Sequence, residues 1–198
     1  MRKGVTNVEA RGDSRRKTET AVTAAPGAAA SWPDRLHAVL REVGINQAGY
    51  VPDSGHARLI ELVRADRHMR AIPLTTEEEG VALAVGACLG GDRCVLLTQS
   101  SGVGNCINML SLAKSCRFPL ILLVTMRGEW GEFNPWQMPM AQATESVLTA
   151  MGVVVQRADA PDDIVQTISA AARLSFNTSR IAAVLISQRV IGTKEFKK

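Results

Sequence analysis

The chain has 198 residues, 46% of them hydrophobic, enough for one domain with a substantial core and too few for two of ordinary size. Its formal charge of +4 sits at the ends: residues 1–30 carry six Lys or Arg against three acids, and residues 194–198 carry three Lys against Glu195, which leaves the middle nearly neutral and argues against a nucleic-acid-binding face. No apolar run reaches the ~18 residues of a membrane span, no signal-peptide core opens the chain, and Cys88, Cys94, Cys106 and Cys116 form no CxxC pair, so a cytoplasmic protein with reduced core cysteines and no zinc site is expected.

Residues 1–31 hold almost no large apolar side chain and are expected to form a disordered extension. Glu9, Asp13 and Glu19 argue against reading it as an organellar targeting segment. "SWPDRLHAVLREVG" then predicts a helix, with Ser31 as cap, Pro33 in the first turn, Leu36, Val39, Leu40 and Val43 on one face, and Gly44 as the stop. Strand and helix alternate from there: "AGYVP" (strand), "SGHARLIELVRAD" (helix), "MRAIPL" (strand), "TTEEEGVALAVG" (helix), "RCVLLT" (strand) and "GNCINMLSLAKSC" (helix). The second half continues with "PLILLVTM" (strand), "MAQATESVLTAMG" (helix), "VVVQR" (strand), "PDDIVQTISAAARLSF" (helix) and "IAAVLIS" (strand).

Nearly continuous apolar strands such as "PLILLVT" are what a parallel sheet covered on both faces requires. The alternation therefore predicts an α/β fold, a doubly wound, flavodoxin-like, mainly parallel sheet of about six strands over residues 32–190, with 191–198 as a basic tail. Ligands bind such sheets beyond the carboxyl ends of the strands, which directs attention to "VPDSG", "TTEEEG", "TQSSGVGN" and "TMRGEWGEFNPWQMP".

"TQSSGVGN" joins a strand to a helix but lacks the GK[ST] of a triphosphate loop, the GxGxxG dinucleotide pattern and the GxSxG elbow. It reads either as a tight turn or as a place where a flat or anionic ligand approaches closely. In "TTEEEG", Thr76 and Glu79 have capping-box spacing and the helix dipole favours a second acid, which leaves Glu77 unexplained. Asp53 and Ser54 suit either substrate contact or a helix cap, and Arg127 suits either an anionic substrate or a loop anchor. His37, His56 and His68 have no metal-ligand spacing and are expected to be surface or core residues. Trp130, Phe133, Trp136, Met138 and Met140 form a stretch that another chain is expected to cover.

Taken in order, "VPDS" (51–54), "EEEGVALAVG" (77–86), "QSSGVGN" (99–105) and "RGE" (127–129) resemble the pyrimidine-binding domain of thiamine-diphosphate-dependent 2-oxoacid decarboxylases, specifically the phosphonopyruvate and sulfopyruvate decarboxylase group. The pattern E-x-x-[AG]-x-x-x-[AV]-x-G places the family's cofactor glutamate nine residues before Gly86, at Glu77. The resemblance implies that Glu77 bonds the ring nitrogen N1′ and favours the imino tautomer that activates the thiazolium. It implies further that Gln99, Ser101, Gly102, Val103, Gly104 and Asn105 line the pyrimidine, and that Asp53, Ser54 and Arg127 meet substrate. In this family diphosphate and Mg²⁺ belong to a second domain marked by GDG and a later Asn. "GGDRC" (90–94) departs from that pattern, so the resemblance implies a separate diphosphate-binding beta subunit, a hetero-oligomer, and no metal ligands in this chain. Sulfopyruvate is the implied substrate; phosphonopyruvate, an acetolactate-type carboligation or a non-catalytic scaffold subunit are the alternatives.

Overall fold

The computed structural model describes residues 30–193; the expected extension before residue 30 and most of the basic tail lie outside the described residues. Six strands, β1 (Gln47–Tyr50), β2 (Arg70–Pro73), β3 (Cys94–Gln99), β4 (Leu120–Thr125), β5 (Val154–Ala158) and β6 (Ile181–Ile186), form one sheet in the order β2-β1-β3-β4-β6-β5. Every pairing is parallel. The helices are α1 (Trp32–Glu42), α2 (Ala57–Ala65), α3 (Glu77–Leu89), α4 (Ser100–Cys106), α5 (Leu110–Ser115), α6 (Met138–Ala150), α7 (Asp163–Thr178) and α8 (Gln188–Ile191), with a 3₁₀ turn at Pro135–Gln137.

Alternate strand residues face opposite ways, and the core divides accordingly. Val95, Leu97, Ile121, Leu123, Ala182 and Val184 pack with α1, α2 and α7, while Leu96, Leu122, Val124, Ala183 and Leu185 pack with α3, α4, α5 and α6. β4 and β6 are buried along their whole length, as a strand covered on both faces must be. After β1 the chain turns to one face, into α2, whereas after β3 it turns to the other, into α4. The crevice between two neighbouring strands whose loops part in this way is the topological switch point of a doubly wound sheet.

Three local readings need correction. Ser31 stands at the N-cap of α1, but its hydroxyl bonds the Asp34 carboxylate and not a backbone N–H. The helix expected after β3 is interrupted at residues 107–109, where Ser111 N–H and Leu112 N–H donate to Asn108 and Met109 carbonyls, three residues back, so that α4 and α5 are separate. After β6 the chain forms the short helix α8, to which the sequence reading gave no element, capped by Ser187 Oγ. All four cysteines are free, but only Cys94 and Cys106 are core residues; Cys116 is exposed and Cys88 half-buried.

Candidate functional site at the carboxyl end of the sheet

Glu77 opens α3 beside the switch point and is buried, only 6% exposed. The predicted capping box is shifted by one residue. Thr76 makes no side-chain cap, and the Glu79 carboxylate instead accepts from Thr75 N–H at 2.8 Å. Glu78 and Glu79 are exposed, and they gain from the helix dipole without touching the crevice lining. Glu77 is turned inward and held by Asn105, whose Nδ2 donates to Oε2 at 2.8 Å.

Glu77, Gln99, Ser101, Gly102 and Asn105 line one part of an open cleft of about 940 Å³, and Pro135, Trp136, Pro139 and Met140 line the rest. Gly102 is required there, because a Cβ would collide with Glu77 Oε1 and Thr98 Oγ1. Gly80, one turn into α3, is required for packing, since a Cβ would run into Leu96. Of the two remaining residues expected at the cleft, Val103 is fully buried among the core residues beneath α4, and Gly104 is exposed beside Met140. Burial, with the charges of Glu77 and Glu78 added, pushes the Cys106 thiol up to about 12, which makes it inert.

Arg127 does not face the cleft. Its guanidinium forms a two-pronged pair with Glu132, Nε to Oε2 at 2.8 Å and Nη2 to Oε1 at 2.9 Å, so of the two readings open for this residue the geometry realises the loop anchor. Glu132 was not singled out in the sequence, nor was Gln188 of α8, which donates to Glu132 and accepts from Glu129 N–H and Trp130 N–H. Burial raises the Glu132 pKa, but the Arg127 bonds and the Asn134 and Gly128 N–H groups outweigh it and hold the group at about 2. The aromatic stretch is partly bare, with Trp136 82% exposed and Trp130 and Phe133 near half.

Asp53 is likewise tied to the scaffold: Oδ2 accepts from Thr125 Oγ1 at 2.7 Å and from Gly55 N–H. Ser54 is exposed, and neither residue lines the cleft with Glu77. His56, expected to be a core or surface residue, is fully buried, its Nε2 within reach of the Leu123 carbonyl at 3.0 Å and the Thr98 carbonyl at 3.3 Å, and its Nδ1 has no partner. Among the described residues no three His, Cys, Asp or Glu side chains cluster to hold a metal ion, and no helix is long and apolar enough to cross a membrane.

Residues 32–153 match the family model described as thiamine pyrophosphate enzyme, N-terminal TPP binding domain. The sulfopyruvate decarboxylase subunit alpha of Methanothermobacter thermautotrophicus is 33% identical over 154 residues, 77% of this chain and 93% of that one. The phosphonopyruvate decarboxylase of Streptomyces viridochromogenes is 40% identical over 98 residues, 49% of this chain and 25% of that one. Among solved structures, the 2-oxoglutarate:ferredoxin oxidoreductase of Magnetococcus marinus superposes with a TM-score of 0.68 at 14% identity. The match covers 82% of this chain and 29% of that one, a likeness of fold alone. Glu77 with its Asn105 partner, the glycine-floored cleft and these matches lead to one conclusion: the chain belongs to the thiamine pyrophosphate enzyme family through its N-terminal domain, on the branch of the sulfopyruvate decarboxylase alpha subunits.

Proposed function

We propose that this chain is the pyrimidine-binding subunit of a thiamine-diphosphate-dependent decarboxylase that converts sulfopyruvate to sulfoacetaldehyde and CO₂. The observation that carries this reading is the buried Glu77, presented at the cleft by Asn105, in a chain that spans nine-tenths of a subunit named alpha.

The residues suit a flat, nitrogen-bearing ring. Gly102 keeps the space in front of Glu77 open, Gln99, Ser101 and Asn105 offer hydrogen-bonding groups around it, and Trp136, Pro135, Pro139 and Met140 offer an apolar lining. Bound thiamine diphosphate supplies the carbon nucleophile and the electron sink for loss of CO₂. Glu77 holds a proton at the pyrimidine nitrogen N1′, and Asn105 fixes which carboxylate oxygen does so. Pro135, Trp136, Pro139 and Met140 would limit water at the reacting carbon, where loss of CO₂ would leave a position for a proton to fill.

Diphosphate and Mg²⁺ are assigned to a separate beta subunit, and the assembly to the cytoplasm; the subunit name of the relative supports the division. Phosphonopyruvate is the second reading, favoured by the 40% identity to its decarboxylase over half of this chain. Carboligation onto a second 2-oxoacid uses the same site residues and differs only in the acceptor, whereas a scaffold subunit has no use for Glu77. The deciding experiment co-expresses the chain with a subunit bearing a GDG and Asn diphosphate motif and follows CO₂ release from sulfopyruvate, phosphonopyruvate and pyruvate. Release from sulfopyruvate foremost, dependent on both subunits and on thiamine diphosphate, is expected. A complex inert toward all three, or full activity of this chain alone, overturns the proposal.

A further inference from the structure

Loop 127–137 is rich in polar and glycine residues and packs few apolar side chains, yet it contributes Pro135 and Trp136 to the cleft lining. Most of it is exposed: Trp130, Gly131, Phe133, Pro135 and Trp136 all face outward. Arg127, Gly128 and Gln137 at its ends are buried, and in its middle the Glu132 side chain is 1% exposed.

That carboxylate accepts from five donors drawn from three parts of the chain. Arg127 Nε and Nη2 and Gly128 N–H approach from the end of β4, at 2.8, 2.9 and 3.3 Å. Asn134 N–H comes from the cleft side at 3.1 Å, and Gln188 Nε2 from α8 at 3.0 Å. Two of these donors continue into the cleft itself. Arg127 N–H donates to Ser100 Oγ at the first residue of α4, the helix that carries Ser101, Gly102 and Asn105. The Asn134 side chain accepts from Trp136 N–H and starts the 3₁₀ turn of Pro135 and Trp136. One unbroken series of bonds therefore runs from the Glu77 side of the cleft through Arg127, Glu132 and Asn134 to Trp136.

A buried carboxylate is retained only where its charge is fully met, and charge-assisted bonds of this kind are short and directional. We propose that Glu132 is the positioning residue of the cleft: it touches neither cofactor nor substrate, and it sets the distance between the wall of Pro135, Trp136, Pro139 and Met140 and the wall of Glu77. Its role in cofactor binding rests on the thiamine-diphosphate reading above; its role in fixing the loop does not.

The test uses Glu132→Gln, which keeps the shape but offers one oxygen where five donors converge, and Glu132→Asp, which keeps the charge on a shorter stem. On the full chain without ligand, amide hydrogen exchange is measured at residues 128–137 and in β3 and β4. Faster exchange of the loop by about tenfold or more in Glu132→Gln, with the strands unchanged and Glu132→Asp intermediate, is expected. In the complex with the beta subunit, the KM for thiamine diphosphate is expected to rise about tenfold or more in Glu132→Gln while kcat at saturation stays within about threefold. Loop exchange equal to wild type in both variants overturns the proposal, and so does a fall in kcat at unchanged KM. Should Glu132→Gln fail to fold, Glu132→Asp carries both readings. Wild-type complex that ignores thiamine diphosphate refutes the functional reading and leaves the exchange result to decide the loop.

Discussion

Asn105 Nδ2 donates to Glu77 Oε2 at 2.8 Å, and this one bond joins the start of α3 to the last turn of α4. Of the three adjacent glutamates, it singles out the one that is buried and lines the cleft. Glu77→Gln in the assembled enzyme is expected to lower kcat by ~10²- to 10⁴-fold, the range for loss of an acid–base group, with subunit assembly unchanged on gel filtration. Turnover equal to wild type would remove Glu77 from the chemistry. Asn105→Ala leaves the carboxylate in place but unfixed, and a smaller loss of about tenfold in kcat/KM is expected.

Gly102→Ala adds a methyl group where Glu77 Oε1 and Thr98 Oγ1 already stand. The substitution is expected to cost ~1–3 kcal/mol in urea unfolding and to displace Glu77, so that activity falls further than stability explains. A stable, fully active Gly102→Ala protein would show that Glu77 does not depend on that space.

The two outer glycines of the α3 motif are expected to behave oppositely. A Cβ at Gly80 meets Leu96, whereas one at Gly86 meets nothing within 4 Å. Gly80→Ala is expected to lower the unfolding free energy of the isolated chain by ~1–3 kcal/mol, and Gly86→Ala to raise it by ~0.5–1 kcal/mol through helix propensity. Thermal denaturation of the two variants side by side distinguishes them, and equal effects would contradict the packing described.

Two buried groups give acid lability in separate ranges. Burial lowers the His56 pKa below 6.5 despite the Asp53 charge and two carbonyls that favour its proton. The unfolded chain then takes up the proton first as pH falls, so the stability contributed by the neutral ring is complete above about pH 6.5 and declines below it. Glu132 contributes stability that is complete above the ordinary glutamate value of 4.5 and is lost as pH falls through about 2. Denaturation midpoints measured from pH 8 to pH 3 are expected to fall in two stages, and His56→Gln to abolish the upper one; an unaltered upper stage would assign it to another group.

The alternation of elements, all six strands and the position of Glu77 were legible because they rest on local signals: apolar runs, glycine stops and a motif within ten residues. Gln99, Ser101, Gly102 and Asn105 fall at the cleft because one strand-to-helix turn carries them all. What was not legible depends on pairing across the chain. Glu132 and Gln188 are 56 residues apart and neither lies in a periodic pattern, so nothing in the order of residues says that one buries the other. The same holds for Asp53 and Thr125, 72 residues apart, and for Arg127, whose partner decides whether it is a ligand-binding cation or a loop anchor. Val103 lies in the core and off the cleft lining for a different reason: a helix spreads consecutive residues around its axis, so the contiguous motif in α4 does not form one surface.

With Arg127 engaged by Glu132, Glu77 is the only ionisable side chain on the cleft lining among the described residues. A sulfonated 2-oxoacid would bring two negative charges toward that lining, where the nearest charge this chain offers has the same sign. On the function proposed above, the attraction would come from groups of the partner subunit. Capture of substrate would become a property of the assembled pair, fast at low ionic strength and slowed by added salt, even though the proton chemistry is anchored on this side.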